Sequence, residues 1–187
     1  IELVDKEYLH LISNIVKSII RTKSQVRTRF RPNKKREHHY FQFRNKSFYY
    51  FLTKDLEIPS GKKSSIVRIP TKIFTSLSLQ KNFLAGLFDT DGGIRSSSIG
   101  FTTASINLVG DISEILNNLG IAYKKECWIN KKYKKEYYGI RIKQKSIDRF
   151  LKNLPMKNLK KRSKVFHHVS VPEWSNGLDN SLMKIKN

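Results

Sequence analysis

The sequence predicts a mixed α/β chain of the α+β kind, built from two αββαββα repeats, the first of which lacks its opening helix and strand. Three observations predict it. Apolar residues recur at helical spacing in some segments and at every second residue in others. The second half repeats the first at an offset of 100 and, after a one-residue adjustment in the hairpin, 99. Hydrophobic residues make up 39% of the chain and aromatics 11%, enough to bury a core.

The elements follow in order. Leu9, Ile12, Ile15, Val16 and Ile19 mark a helix over 8–20, with Asp5 placed to cap it. Alternation in 25–31 and again in 40–44 predicts a basic hairpin turning at Pro32-Asn33-Lys34. A second helix is predicted over 47–56, and Pro59-Ser60-Gly61 then breaks the chain. A third helix covers 79–90, with Ser76 or Ser78 as its cap, and a strand pair follows over 93–102. From there the repeat takes over. Val109, Ile112, Ile115, Leu116 and Leu119 stand where Leu9, Ile12, Ile15, Val16 and Ile19 stood, and Phe150-Leu151 answers Phe51-Leu52. The hairpin tips agree in kind, Asn33-Lys34-Lys35-Arg36 against Asn130-Lys131-Lys132-Tyr133. The expected organisation is therefore a first repeat at 1–58, a linker at 59–78, a second repeat at 79–154 and a basic extension at 155–187. By the offset, the counterparts of the third helix and its strand would precede Ile1.

Charge narrows the function. The chain has 37 Lys and Arg against 15 Asp and Glu, a net +22. Such a field favours a polyanionic partner and speeds encounter with it. No apolar run nears the roughly 20 residues of a membrane span, so no membrane partner is expected. No signal peptide is visible. A single cysteine, Cys127, allows no disulfide within the chain and no cysteine zinc site, which fits an intracellular protein. Lying in a strand-like run, Cys127 reads as structural.

The segment Leu84-Ala85-Gly86-Leu87-Phe88-Asp89-Thr90-Asp91-Gly92 carries the chemistry. Phe83, Leu84, Leu87 and Phe88 suit a core. Ala85 and Gly86 leave a shallow strip where another helix backbone can approach. Gly92 suits a left-handed helix end. Asp91 would then sit at the negative pole of the helix dipole, a conflict that a bound cation relieves. Mg²⁺, or Mn²⁺, suits a lone carboxylate sharing its sphere with water and phosphate. Asp89 reads as support for the helix end.

This nonapeptide resembles the signature of the LAGLIDADG homing endonucleases, matching seven of nine letters. Residues 58–64 and 67–70 also resemble the interdomain stretch of archaeal and intein-type members. The resemblance implies the duplicated homing-endonuclease fold, with curved antiparallel sheets lying on DNA. It implies metal-dependent double-strand cleavage of a long, asymmetric DNA site, leaving short 3′ overhangs and starting intron or intein mobility. Asp91 would be catalytic as the metal carboxylate. Lys143, with Arg44 as its counterpart in the first repeat, would be a catalytic cation near the scissile phosphates; Thr102 and Thr103 are weaker polar candidates. Each signature helix of the family gives one acidic residue, so a second should come from the absent first helix of a full-length monomer or from a complementing chain.

Arg27, Arg29 and Arg31 should share one strand face, and Gln42 and Arg44 the returning one. Lys125, Arg141 and Lys143, with Arg95, are their analogues in the second repeat. Arg pairs with guanine and Gln with adenine in the major groove. Lys34, Lys35, Arg36, Lys131 and Lys132 at the tips suit phosphates, as does the run from Lys157 to Lys164. Two other readings use the same basic surface: a maturase-like protein binding intron RNA, and an inactive DNA-binding protein. The expected place is the cytoplasm or nucleoid of a prokaryote, or an organelle of a eukaryote.

Overall fold

The computed structural model describes residues 1–32, 35–95, 98–131 and 133–170. Two compact units divide the chain, Ile1–Ile58 and Pro59–Asn187.

In the first unit a short strand, β1 (Glu2–Leu3), leads into α1 (Lys6–Ile20). Asp5 caps α1 as its position suggested, accepting from the Tyr8 amide at 3.1 Å. The hairpin is β2 (Arg27–Arg31) with β3 (Arg36–Tyr40), and the antiparallel sheet runs β1-β3-β2. The returning strand thus starts about four residues earlier than alternation in 40–44 implied. Lys35 takes a left-handed φ of 49° and turns the chain at once, so pairing resumes at Arg36. The helix expected over 47–56 starts one residue earlier and changes pitch, as α2 (Lys46–Tyr50) passing into a π-turn over Phe51–Asp55.

The second unit opens with a 3₁₀ turn, Thr71–Thr75, and the signature helix α3 (Leu77–Asp91). Strands β4 (Gly93–Arg95) and β5 (Ser98–Thr103) precede α4 (Ile106–Asn118). Then come β6 (Tyr123–Asn130), β7 (Lys135–Ile142), a short turn, α5 (Ile147–Asn153) and α6 (Leu159–Ser170). The sheet order is β4-β5-β7-β6, antiparallel throughout. Ile99, Phe101, Ile140 and Ile142 turn one face of it onto α3, α4 and α5, closing a core with Leu84, Phe88, Ile112, Leu116 and Phe150. The Phe88 ring meets Phe101 and Phe150 edge-on at 5.6 and 5.0 Å. Each such side chain contributes about 1.5–3 kcal/mol by burial.

The duplication is visible in detail. The helices α1 and α4 both end in left-handed residues, Arg21 (φ 50°) and Gly120 (φ 63°), which are 99 apart. Both hairpin tips use a left-handed lysine, Lys35 and Lys134, again 99 apart. The packing is not duplicated. Val109, Ile112, Ile115, Leu116 and Leu119 are all buried, whereas Ile15 is 45% and Ile19 68% exposed. In the second unit α3 covers that face of α4; the first unit has no such helix among its described residues.

Residues 59–76 pack as part of the second unit. Ile69 is buried in its core, with Ile73 and Phe74 against it. The buried Asp111 of α4 holds the segment, accepting from the Ile69 amide (2.8 Å) and from Arg68 Nη2 (2.9 Å). Ser105 Oγ also donates to the Val67 carbonyl at 2.7 Å.

Candidate nucleic-acid interface and acidic helix tip

Asp91 is the last residue of α3, and its side chain is exposed. Its nearest hydrogen-bonding neighbour is the Thr90 hydroxyl, 3.4 Å from Oδ2. No ion pair joins it to a cation among the described residues. Gly92 corrects the expected helix end, because its backbone is extended (φ −61°, ψ 141°) and not left-handed. Glycine is required there by proximity. A Cβ would lie 2.3 Å from Phe88 Cδ2 and 2.5 Å from the Phe88 carbonyl oxygen. The cap is corrected too: Ser76 stands at the N-cap with extended backbone but makes no side-chain cap bond, and Ser78 lies inside the helix.

Asp89 is buried and structural in geometry. Its Oδ2 accepts from the amides of Lys157 (2.7 Å) and Asn158 (3.1 Å), while Asn158 Nδ2 reaches the Asp89 carbonyl at 3.4 Å. This ties the chain after α5 to the signature helix. Lys161, in the first turn of α6, then reaches the helix end. Its Nζ donates to the carbonyls of Phe88 (2.8 Å), Thr90 (3.1 Å) and Gly92 (2.8 Å), and it lies over the Phe88 ring at 5.6 Å. Burial pushes the Lys161 ammonium below its ordinary pKa, with Asp89 and Asp91 pulling the other way. An ammonium has three protons, and three carbonyls take them. Lys161 is therefore not available to a phosphate, contrary to the expectation for the basic run. Sequence spacing could not show this, because the partners are about seventy residues apart.

Ala85 is buried and Gly86 is exposed; a Cβ on Gly86 would meet nothing within 4 Å. The strip expected to receive another helix is thus open on the Gly86 side.

The outer sheet face of the second unit, opposite the helices, carries Lys124, Glu126, Trp128, Tyr137, Gly139, Arg141, Gly100 and Gly93 in register. Trp128 and Tyr137 stack at 6.4 Å. Arg141 is expected here and is here, with Nε donating to Glu126 Oε2 at 3.1 Å. Lys125 is not. It pairs across from the buried Ile140, on the helix-side face, and Lys124 takes the place beside Arg141. A strand alternates strictly, so the neighbours Lys124 and Lys125 lie on opposite faces of the sheet. Lys143 is exposed just past β7, with its amide held by the Ala122 carbonyl at 2.9 Å. Thr102 is exposed on β5, and Thr103 Oγ1 accepts from the Ser105 amide at 3.1 Å. Exposed Lys131 lies at the tip, and Lys132 is outside the described residues.

In the first unit Arg27, Arg29 and Arg31 share one face, as alternation required. Two of them are occupied. Glu2 Oε2 accepts from both Arg29 and Arg31, at 2.6 Å from Arg31, and Glu2 Oε1 lies 3.1 Å from His38 Nδ1. The hydrogen bonds from Arg29 and Arg31 hold the Glu2 carboxyl at a pKa of about 2, well below the usual range. Arg29 also lies over the Tyr40 ring at 4.9 Å. Arg27, Gln42 and Arg44 instead line an open cleft of about 650 Å³ with Lys23, Ser24 and Gln25. Exposed Lys35 and strand residue Arg36 lie at the hairpin tip, while Lys34 lies outside the described residues, as do the side chains of Arg36 and Arg95. The C-terminal residues 171–187 also lie outside them.

No group of three or more His, Cys, Asp or Glu gathers among the described residues. No described helix is long and apolar enough to cross a membrane.

Comparison with known proteins gives this geometry a context. Residues 78–155 match the LAGLIDADG-like domain. The replication factor C small subunit of Methanocaldococcus jannaschii is 39% identical over 110 residues, which cover 58% of this chain but only 6% of that relative. Mesophilic variants of the homing endonuclease I-DmoI superpose on 92% of this chain and 79% of theirs, at 17% identity and a TM-score of 0.54. I-DmoI in complex with DNA and Mn gives 16% identity, coverage of 92% and 80%, and a TM-score of 0.53. At such identity the superpositions show the fold. Residues 78–155 are thus a LAGLIDADG-like domain, in a chain that has the fold of a LAGLIDADG homing endonuclease.

Proposed function

We propose that this chain is a site-specific DNA endonuclease that needs a divalent metal and uses Asp91 as a metal-binding carboxylate. The observation that carries the reading is the exposed Asp91 at the tip of the signature helix, in no ion pair among the described residues. A single hard oxygen ligand beside open solvent fits Mg²⁺ or Mn²⁺, which keep waters and take phosphate oxygens. A bound cation supplies Lewis acidity toward the phosphate and lowers the pKa of a coordinated water. Arg27 and Arg44 in the first unit, and Arg141 and Lys124 in the second, are the cations this reading assigns to DNA contacts. Lys143 offsets charge near the scissile phosphate. I-DmoI has been solved with its target DNA in the presence of Mg, and with DNA and Mn or Ca, which supports the same partner and metal class here. The small share of the replication factor subunit that matches suits an endonuclease segment carried within a host protein.

The second acidic residue comes from a further signature helix, either ahead of Ile1 or on a complementing chain. The exposed apolar face of α1 supports this, since its counterpart on α4 is covered by α3. A protein of this kind works where its DNA is, in a prokaryotic cytoplasm or a eukaryotic organelle.

The test is cleavage of a randomised plasmid library with Mg²⁺ or Mn²⁺, with sequencing of the ends. Discrete double-strand breaks are expected, abolished by EDTA and by Asp91→Asn, with DNA affinity kept within about threefold because one exposed carboxylate makes little of the contact surface. Cutting by Asp91→Asn at the parent rate would refute the assignment, and tight binding without cutting under any metal would make the protein a binder.

A further inference from the structure

Lys161 donates three hydrogen bonds to the end of the signature helix, and the nuclease reading gives it no task. Its three donors go to Phe88, Thr90 and Gly92. The last two carbonyls belong to the residues on either side of Asp91. The lysine is itself held in place, because Asn158 Oδ1 accepts its amide at 3.0 Å and Asp89 holds the amide of Asn158. Contacts therefore run from Asp89 through Asn158 and Lys161 back to the backbone that carries Asp91. A helix end leaves its last carbonyls without helical partners, usually to water. Water would leave the tip free to fray; a half-buried ammonium with three bonds does not.

We propose that Lys161 is a positioning residue for Asp91: by holding the peptide carbonyls on both sides of it, the lysine presents the carboxylate to a divalent cation in one geometry. This rests on the metal reading above. A simple charge effect has the opposite sign. Removing a cation near Asp91 should tighten the binding of a second cation on Coulombic grounds. Loss of positioning should weaken it. The sign of the change therefore separates the two.

The experiment uses the full chain without DNA and Mn²⁺ alone as the probe. Mn²⁺-induced broadening of the amide signals of residues 90–93 reports affinity, and hydrogen exchange at Gly92 reports the clamp. Lys161→Met is expected to speed exchange at Gly92 at least tenfold and to weaken Mn²⁺ at least fivefold. Lys161→Arg should fall between, since a planar guanidinium cannot converge on three carbonyls as an ammonium does. Lys164→Met, an exposed charge on the same helix, should change neither. Mn²⁺ affinity in Lys161→Met that is unchanged or tighter overturns the proposal, whatever exchange does, and so does an equal loss in Lys164→Met. Should the methionine variant fail to fold, arginine decides alone: affinity within twofold of the parent overturns the proposal. An unsubstituted protein with no broadening near residue 91 removes the metal reading and this proposal together. Normal broadening with an unaffected variant removes this proposal only.

Discussion

At the residue scale the signature does two jobs that a motif string does not separate. Asp91 faces solvent, and Asp89, two positions away, is buried on the opposite side of the helix end. The terminal glycine serves packing against Phe88 and not backbone freedom. Gly92→Ala and Gly92→Asn should therefore both destabilise the second unit, by about 1–3 kcal/mol each, the usual cost of overpacking. Urea unfolding measures it. A left-handed position would accept Asn far better than Ala, so a near-neutral Asn variant would contradict the contact. The residue types of the tip were legible in the sequence. Their division of labour was not, because it depends on which side of α3 meets the chain at residues 157 and 158.

At the element scale the duplication governs secondary structure, while tertiary context governs its burial. The same apolar spacing yields a covered α4 and an α1 whose Ile15 and Ile19 stay exposed. The segment before α3 shows how a stretch without strong periodicity is still specified. Asp111 draws Ile69 into the core through its amide, while Arg68 reaches the same carboxylate with a side chain 66% exposed. The exposed pair contributes little; the buried amide matters more. Asp111→Ala is expected to cost about 1–3 kcal/mol, the penalty of leaving that N–H unsatisfied. Arg68→Ala should cost less than a third of that. Thermal unfolding gives the two values, and equal losses would place the energy in the ion pair. Strand boundaries were less legible than helices. The returning strand begins at Arg36, not at 40, because the hairpin turns on a left-handed Lys35, as the second turns on Lys134, and no residue type announced that φ.

At the scale of the whole molecule, charge dominates. Net +22 sits on a chain whose described cations are partly engaged by their own neighbours, Arg29 and Arg31 by Glu2, Arg141 by Glu126, Lys161 by carbonyls. Others, such as Lys124, Lys131, Lys143 and Lys145, are exposed and in no ion pair among the described residues. Affinity for duplex DNA should fall by about 10³-fold or more between 50 and 200 mM salt, as for six or more neutralised phosphates. Fluorescence anisotropy across that range checks it; a shallow dependence would mean that the charge is spent within the protein.

Composition, the nonapeptide and the internal repeat were enough, without coordinates, to determine the fold class and to point to an anionic partner and a candidate acidic residue. Each depends on local pattern or summed charge, which a linear chain displays. Only the tertiary structure decided which cations are free, which aspartate is buried, why residue 92 is glycine, and that Lys161 braces the helix tip. Those properties arise from contacts between residues tens of positions apart, and no local spacing encodes which distant groups will meet.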